Sequence, residues 1–185
     1  MKYPSPADIA EMKARGYDAA VVAEAEEQSK RWALSREICE QIREAFAGVK
    51  LGSGVGLQEG LALDGYADEI TCASYRDLDE TEDWQRIPIE KLNGCHSSLS
   101  FFDPEGMRFH LPAFLIADLH GDYRFEMSFC LTRANDHGID QFALLSDAQR
   151  RAVRAYLLFI VDEPEHGSFR AHVRRALDEY WVEVR

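Results

Sequence analysis

From Phe169 to Val184 the apolar side chains return every three or four residues: Phe169, Val173, Ala176, Leu177, Tyr180, Trp181 and Val184. That spacing puts all seven on one face of an α-helix, and such a face needs a surface to cover it. A second stripe near the other end, Leu34, Ile38, Ile42, Ala45, Phe46 and Val49, has the same spacing. A third, Val153, Tyr156, Leu157 and Ile160, comes after Ser146-Asp147-Ala148-Gln149, which matches a capping box. Helices therefore bracket the chain, and its fold class turns on what they pack against.

Ser5-Pro6-Ala7-Asp8 reads as a helix start, with Ser as N-cap, Pro at the first position and an acid in the first turn. Gly16 interrupts that helix and Asp18 restarts it. The 185 residues are read as a single domain, 1–33 a helical N-terminal extension and 34–185 the core. Gly52-Ser-Gly-Val-Gly is a flexible break, and a short helix is expected from Leu57 to about Tyr66. Residues 68–85 carry many acids with little periodicity and read as loop, its end pinned to the core by Trp84 and Ile87.

The centre reads as β. Residues 99–102 and 107–110 flank Asp103-Pro104-Glu105-Gly106, which suits a type I turn, so a hairpin is expected. Phe125, Met127, Phe129 and Leu131 alternate with polar neighbours, as in a half-buried strand. Between them, residues 111–117 suit either a buried helix with Pro112 in its first turn or a strand. The helix is favoured because Pro112 in a central strand would remove a ladder bond. The expected class is α+β, with helices at both ends packed on one face of a small antiparallel sheet.

A formal charge of −12 excludes several partners. Nucleic acid and anionic membranes both bind through Lys and Arg, so neither is expected. A basic protein partner is compatible with the charge. The start lacks the apolar core of a secretory signal and no run approaches ~20 apolar residues, so the cytoplasm is expected. Cys39, Cys72, Cys95 and Cys130 form no metal-ligand pair by spacing, and reduced thiols are expected.

Few motifs carry chemistry. Phe114-Leu-Ile-Ala-Asp118-Leu-His120-Gly121-Asp122 resembles the first motif of calcineurin-like metallophosphoesterases. The resemblance implies a strand presenting Asp118, His120 and Asp122 to a metal, and hence a metal-dependent hydrolase. That family's other motifs are absent, and 135–138 hold Asn, Asp, His and Gly in a different order. Gly52 to Gly56 lacks the Lys-Ser/Thr of a phosphate loop. Cys95-His96 lacks a third orienting group. His110, His166 and His172 read as packed or surface residues, and Arg150, Arg151 and Arg154 as partners of nearby acids.

A broader likeness is carried by Trp84-x-x-Ile87-Pro88, Leu99-Ser-Phe101-Phe102, Arg108 to Phe114, Phe129-x-Leu131-Thr132 and Leu145-Ser146-x-x-Gln149-Arg150. Over residues 35–163 the chain resembles a bacterial family of uncharacterised proteins, domain of unknown function 6714. That resemblance implies no activity, cofactor or catalytic residue. The first functional reading is therefore a non-catalytic protein-binding module, immunity-like or regulatory. It would present Asp77, Asp79, Glu80, Glu82 and Asp83 to a basic partner, with Tyr180 and Trp181 as contact anchors. The metal-dependent hydrolase and a homodimer joined through the last helix are the alternatives.

Overall fold

A computed structural model describes residues 3–132, 140–163 and 169–182. The described residues hold nine α-helices, two short 3-10 turns and no strand. The expected antiparallel sheet is therefore absent from them, and the α+β class gives way to helix packed on helix. The 135–138 tetrad, His166 and Val184 lie outside the described residues.

The ends match their local signals. Ser5 caps α1 (Pro6–Ala14) with a reciprocal Ser5–Asp8 box, and Gly16 takes a left-handed φ of 73° after it. Asp18 then caps α2 (Ala19–Ala45), its carboxylate accepting from the Ala20 amide at 2.8 Å. Ile9 and Met12 of α1 fold back against Val22 and Ala25, a small cluster separate from the main core. Tyr3 and Arg31 both donate to the buried Glu163, tying this extension to the far side of the chain.

The largest correction concerns Asp103-Pro104-Glu105-Gly106, which opens a helix rather than turning a hairpin. Asp103 is the N-cap of α6 (Pro104–His120), its Oδ1 accepting from the Gly106 amide at 2.8 Å. The dihedrals of a type I turn are close to those of a helix's first turn, so these four residues satisfy either structure. The residues after Gly106 decide between the two. Met107, Phe109, Leu111, Phe114, Leu115 and Leu119 are all buried, which wraps apolar surface around most of α6 and makes it the central helix. Each such side chain contributes about 1.5–3 kcal/mol by leaving water. Pro112 lies mid-helix, eight residues beyond the Pro104 that actually starts it.

Residues 125–131 are likewise no strand. Met127 and Leu131 are buried one helical turn apart in α7 (Met127–Thr132), while Phe125 and Phe129 remain 41% and 52% exposed. A four-residue separation fits both periods, so the alternation alone cannot tell strand from helix here. The acidic 68–85 stretch also contains a helix, α4 (Glu69–Arg76), packed against α3 (Leu57–Asp64).

The remaining elements close around α6. The short α5 (Ile89–Gly94) lies against it, and α2 packs along both α6 and α8 (Asp147–Ile160). The Ser146–Gln149 capping box opens α8 as its residues suggest. The last helix, α9 (Arg170–Glu179), rests on α7 and α8. Trp84 and Ile87 are buried, and the Trp84 indole N–H donates to the Phe46 carbonyl at 3.0 Å. The glycine run at 52–56 docks on the first turn of α6, where a Cβ on Gly54 would come 2.5 Å from the Gly106 nitrogen. Its Val55 amide is already bonded to Asp103, at 2.9 Å. This loop is a tight corner of the core. Among the described residues no helix is long and apolar enough to cross a membrane, and no disulfide joins the cysteines.

Candidate interaction surface

Asp118 and His120 sit near the end of α6, not on a strand. Two residues along a helix turn through about 200°, so their side chains leave on different sides. Asp118 accepts a 2.6 Å hydrogen bond from the fully buried Tyr156 hydroxyl. His120 places Nε2 3.8 Å from Cys39 Sγ, and Asp122 comes after Gly121, a left-handed cap with φ 75°. His120 and Asp122 border one cleft of about 230 Å³ that Asp118 does not line. Partial burial pushes His120 below the ordinary imidazole range, against the pull of Asp122. Among the described residues no group of three or more His, Cys, Asp or Glu could hold a metal ion.

Four carboxylates of the acidic 77–83 segment, those of Asp79, Glu80, Glu82 and Asp83, have partners within the chain. Asp79 accepts from the Gln58 and Glu59 amides at 2.7 and 3.2 Å, closing the start of α3. Burial raises its carboxyl, and those two bonds work against the rise. Glu80 accepts from the Glu82 and Asp83 amides, Asp83 accepts from the Gln85 amide, and Glu82 pairs with Lys50 at 2.5 Å. Asp77 forms the C-cap of α4.

Trp181 is 1% exposed, with its indole N–H donating to the Leu131 carbonyl at 2.9 Å. Tyr180 is half-buried beneath the Arg150 guanidinium, 4.6 Å from the ring centre. Arg150 and Arg154 donate to the Tyr180, Leu177 and Trp181 carbonyls, so they cap the end of α9, and among the described residues they pair with no acid. His110 is wholly buried and stacked on Phe102, and His96 stacks on Phe125.

The most exposed apolar side chains lie elsewhere, at the corner joining α3 to α4. Tyr66 is 97% exposed and Ile70 is 83% exposed, with Leu78 exposed just past α4. The corner is firmly built. Gly60 lets α3 approach Ser98, whose hydroxyl donates to the Leu57 carbonyl at 2.7 Å. Arg76 pairs with Glu59 across the two helices at 2.9 Å, and Asp68 caps α4 through the Thr71 amide at 2.8 Å.

The backbone at that corner is unusual. Tyr66 N–H bonds to the Leu63 carbonyl and Ala67 N–H to the Ala62 carbonyl, the paired bonds of a Schellman ending. The residue between takes a left-handed conformation, a place normally held by glycine. Here it is Tyr66, at φ 56°, and the glycine sits one residue earlier at Gly65. A bulky side chain there costs about 1–2 kcal/mol. Burial returns almost nothing, because the ring stands in solvent. Residues 57–78 carry five acids (Glu59, Asp64, Asp68, Glu69, Asp77) against Arg76 alone, a net of −4. Two exposed apolar side chains in an acidic stretch of chain are the result. Sequence reasoning missed them because helical stripes are sought by what they bury, and α4 buries Cys72 alone.

A family model described as a family of unknown function (DUF6714) matches residues 34–185. No curated protein and no solved structure matches the chain.

Proposed function

The chain belongs to that family of unknown function, and from that premise we propose that the protein is a non-catalytic binding module whose α3–α4 corner docks a basic protein partner. The carrying observation is Tyr66, held in a left-handed backbone at 97% exposure, with the exposed Ile70 four residues further along the chain. Strain that the fold itself does not use points to a use outside it. Exposed aromatics rimmed by charge are the usual anatomy of a contact site, with the ring as anchor and the rim setting partner choice. A second copy of the chain is a poor occupant, because two −12 surfaces repel.

Tyr66→Gly separates the two roles. The variant is expected to be more stable by about 1 kcal/mol, since glycine accepts the left-handed position without strain. A rise in melting temperature of about 2–4 °C would show it. An unchanged or lower temperature would mean that the ring supports the fold.

Docking is tested with Ile70→Glu, which keeps the helix and places a charge on the corner. Wild-type protein is expected to retain a basic partner whose binding weakens with added salt. The affinity for that partner should fall roughly 30-fold in Ile70→Glu, as for a contact worth about 2 kcal/mol. Equal affinity in the variant would remove the corner from the interaction. Self-association by light scattering, lost in the same variant, would replace the basic partner with a second copy.

A further inference from the structure

The cleft between α2, α5 and α6 is independent of the α3–α4 corner and has its own chemistry. Its volume of about 230 Å³ is just under the roughly 300–1,000 Å³ of sites for drug-sized molecules. Ile87, Leu92, Ala113 and Ile116 form apolar walls, while Arg43, His120 and Asp122 stand on its border. The Trp84 indole N–H, also on the lining, is already committed to the Phe46 carbonyl. Gln85 adds a neutral amide to the lining, and the charged recognition falls to the three border residues.

Arg43 is half-buried, and its Nη1 donates to Glu40 at 2.8 Å. Among the described residues its other guanidinium donors meet no acceptor within bonding distance, and the Asp122 carboxylate pairs with no cation. Arg43, His120 and Asp122 all line this one cleft, and both charges act on His120, Asp122 favouring its protonated form and Arg43 opposing it. His120 is the last residue of α6, where the helix dipole is negative and favours a cation.

We propose that the cleft binds a small apolar zwitterion of the α-amino acid type. The carboxylate docks on Arg43 through charge-assisted hydrogen bonds, and the ammonium lies between Asp122 and the α6 terminus. The side chain fills the apolar walls. A simple anion of the same shape meets repulsion from Asp122, and a simple cation meets it from Arg43. Only a ligand carrying both charges satisfies both.

The test is calorimetry on the full chain with L-leucine, 4-methylpentanoate, which lacks the ammonium, and isoamylamine, which lacks the carboxylate. L-Leucine is expected to bind saturably, with each single-charge analogue weaker by about tenfold or more. Arg43→Gln and Asp122→Asn should each weaken leucine binding by about the same factor. Amide spectra keep the outcome readable if a variant misfolds, because leucine should shift Ala113, Ala117 and His120 in the unmodified protein. The proposal is overturned if leucine up to about 10 mM, well past a 1 mM dissociation constant, gives neither heat nor those shifts. Binding that is unchanged in both variants, or equal for 4-methylpentanoate and leucine, overturns it too.

Discussion

Trp181→Ala is expected to lower the unfolding free energy by about 3–5 kcal/mol, the range for deleting a large buried aromatic. In a chain of this length that is a fall of about 6–20 °C in melting temperature. The residue sits almost wholly out of water against Phe142, with ring centres 5.1 Å apart, and it bonds the Leu131 carbonyl at the end of α7. Alanine opens a cavity in the seam between α7 and α9 and leaves that carbonyl without its donor. Trp181→Phe keeps most of the volume and should cost only about 1–3 kcal/mol, mainly through the lost hydrogen bond. Urea unfolding of the three proteins reads the series. A loss below about 1 kcal/mol in the alanine variant would place the indole at the surface, available as the contact anchor that the sequence suggests.

His110→Phe is expected to remove about 3 kcal/mol of acid sensitivity. The imidazole is fully enclosed, and burial lowers its pKa from 6.5 to about 4, against smaller upward pulls from the Gly106 carbonyl and Asp103. Its Nδ1 lies 2.8 Å from the Gly106 carbonyl and must carry the proton. Among the described residues its buried Nε2 meets no partner. As pH falls from 6.5 towards 4 the unfolded chain takes up a proton at this position and the folded chain does not. Stability therefore drops across that window by about 1.4 kcal/mol per pH unit. Phenylalanine cannot titrate, keeps the stack on Phe102 and deletes the orphaned Nε2, while giving up one hydrogen bond of about 1 kcal/mol. Near pH 7.5 the two proteins should be similar, and near pH 4.5 the variant should be the more stable by about 2–3 kcal/mol. His120 shifts in the same direction but is present in both proteins. Urea midpoints that run parallel across the window would exclude His110 as the source.

How plainly a residue announces its place depends on how local its signal is. The caps at Ser5, Asp18 and Ser146 are legible because each is completed within three residues, by the side chains of Asp8 and Gln149 at the first and last and by the Ala20 backbone amide at Asp18. Trp84 and Ile87 are legible as core because few other places suit so much apolar area. The start of α6 is ambiguous, since Asp103 to Gly106 suits a turn and a helix equally and a helix buried on most sides shows no stripe. At the cleft, His120 and Asp122 stand out as chemistry-bearing residues, but an assumed strand groups them with Asp118. The helix sends Asp118 to Tyr156 and leaves Arg43, from a distant part of the chain, as their neighbour. Tyr66 is hidden for a different reason: a backbone angle has no letter of its own, and only a glycine one place early hints at it.

The length of α2 constrains how the first 33 residues can vary. The helix runs unbroken for 27 residues, from Ala19 to Ala45, and the family match begins inside it at residue 34. There is no joint at that boundary, so whatever precedes it is geared to the core by helical phase. One extra residue near position 33 would swing α1 through about 100° and advance it about 1.5 Å. Tyr3 and Arg31 would then no longer face Glu163, leaving a buried carboxylate without those two donors. Along this helix, lengths that differ by about seven residues, close to two whole turns, restore the phase, whereas a change of one or two scrambles it. The extension is in that sense indexed to the core like a key on a shaft, and its spacing carries information that its composition does not.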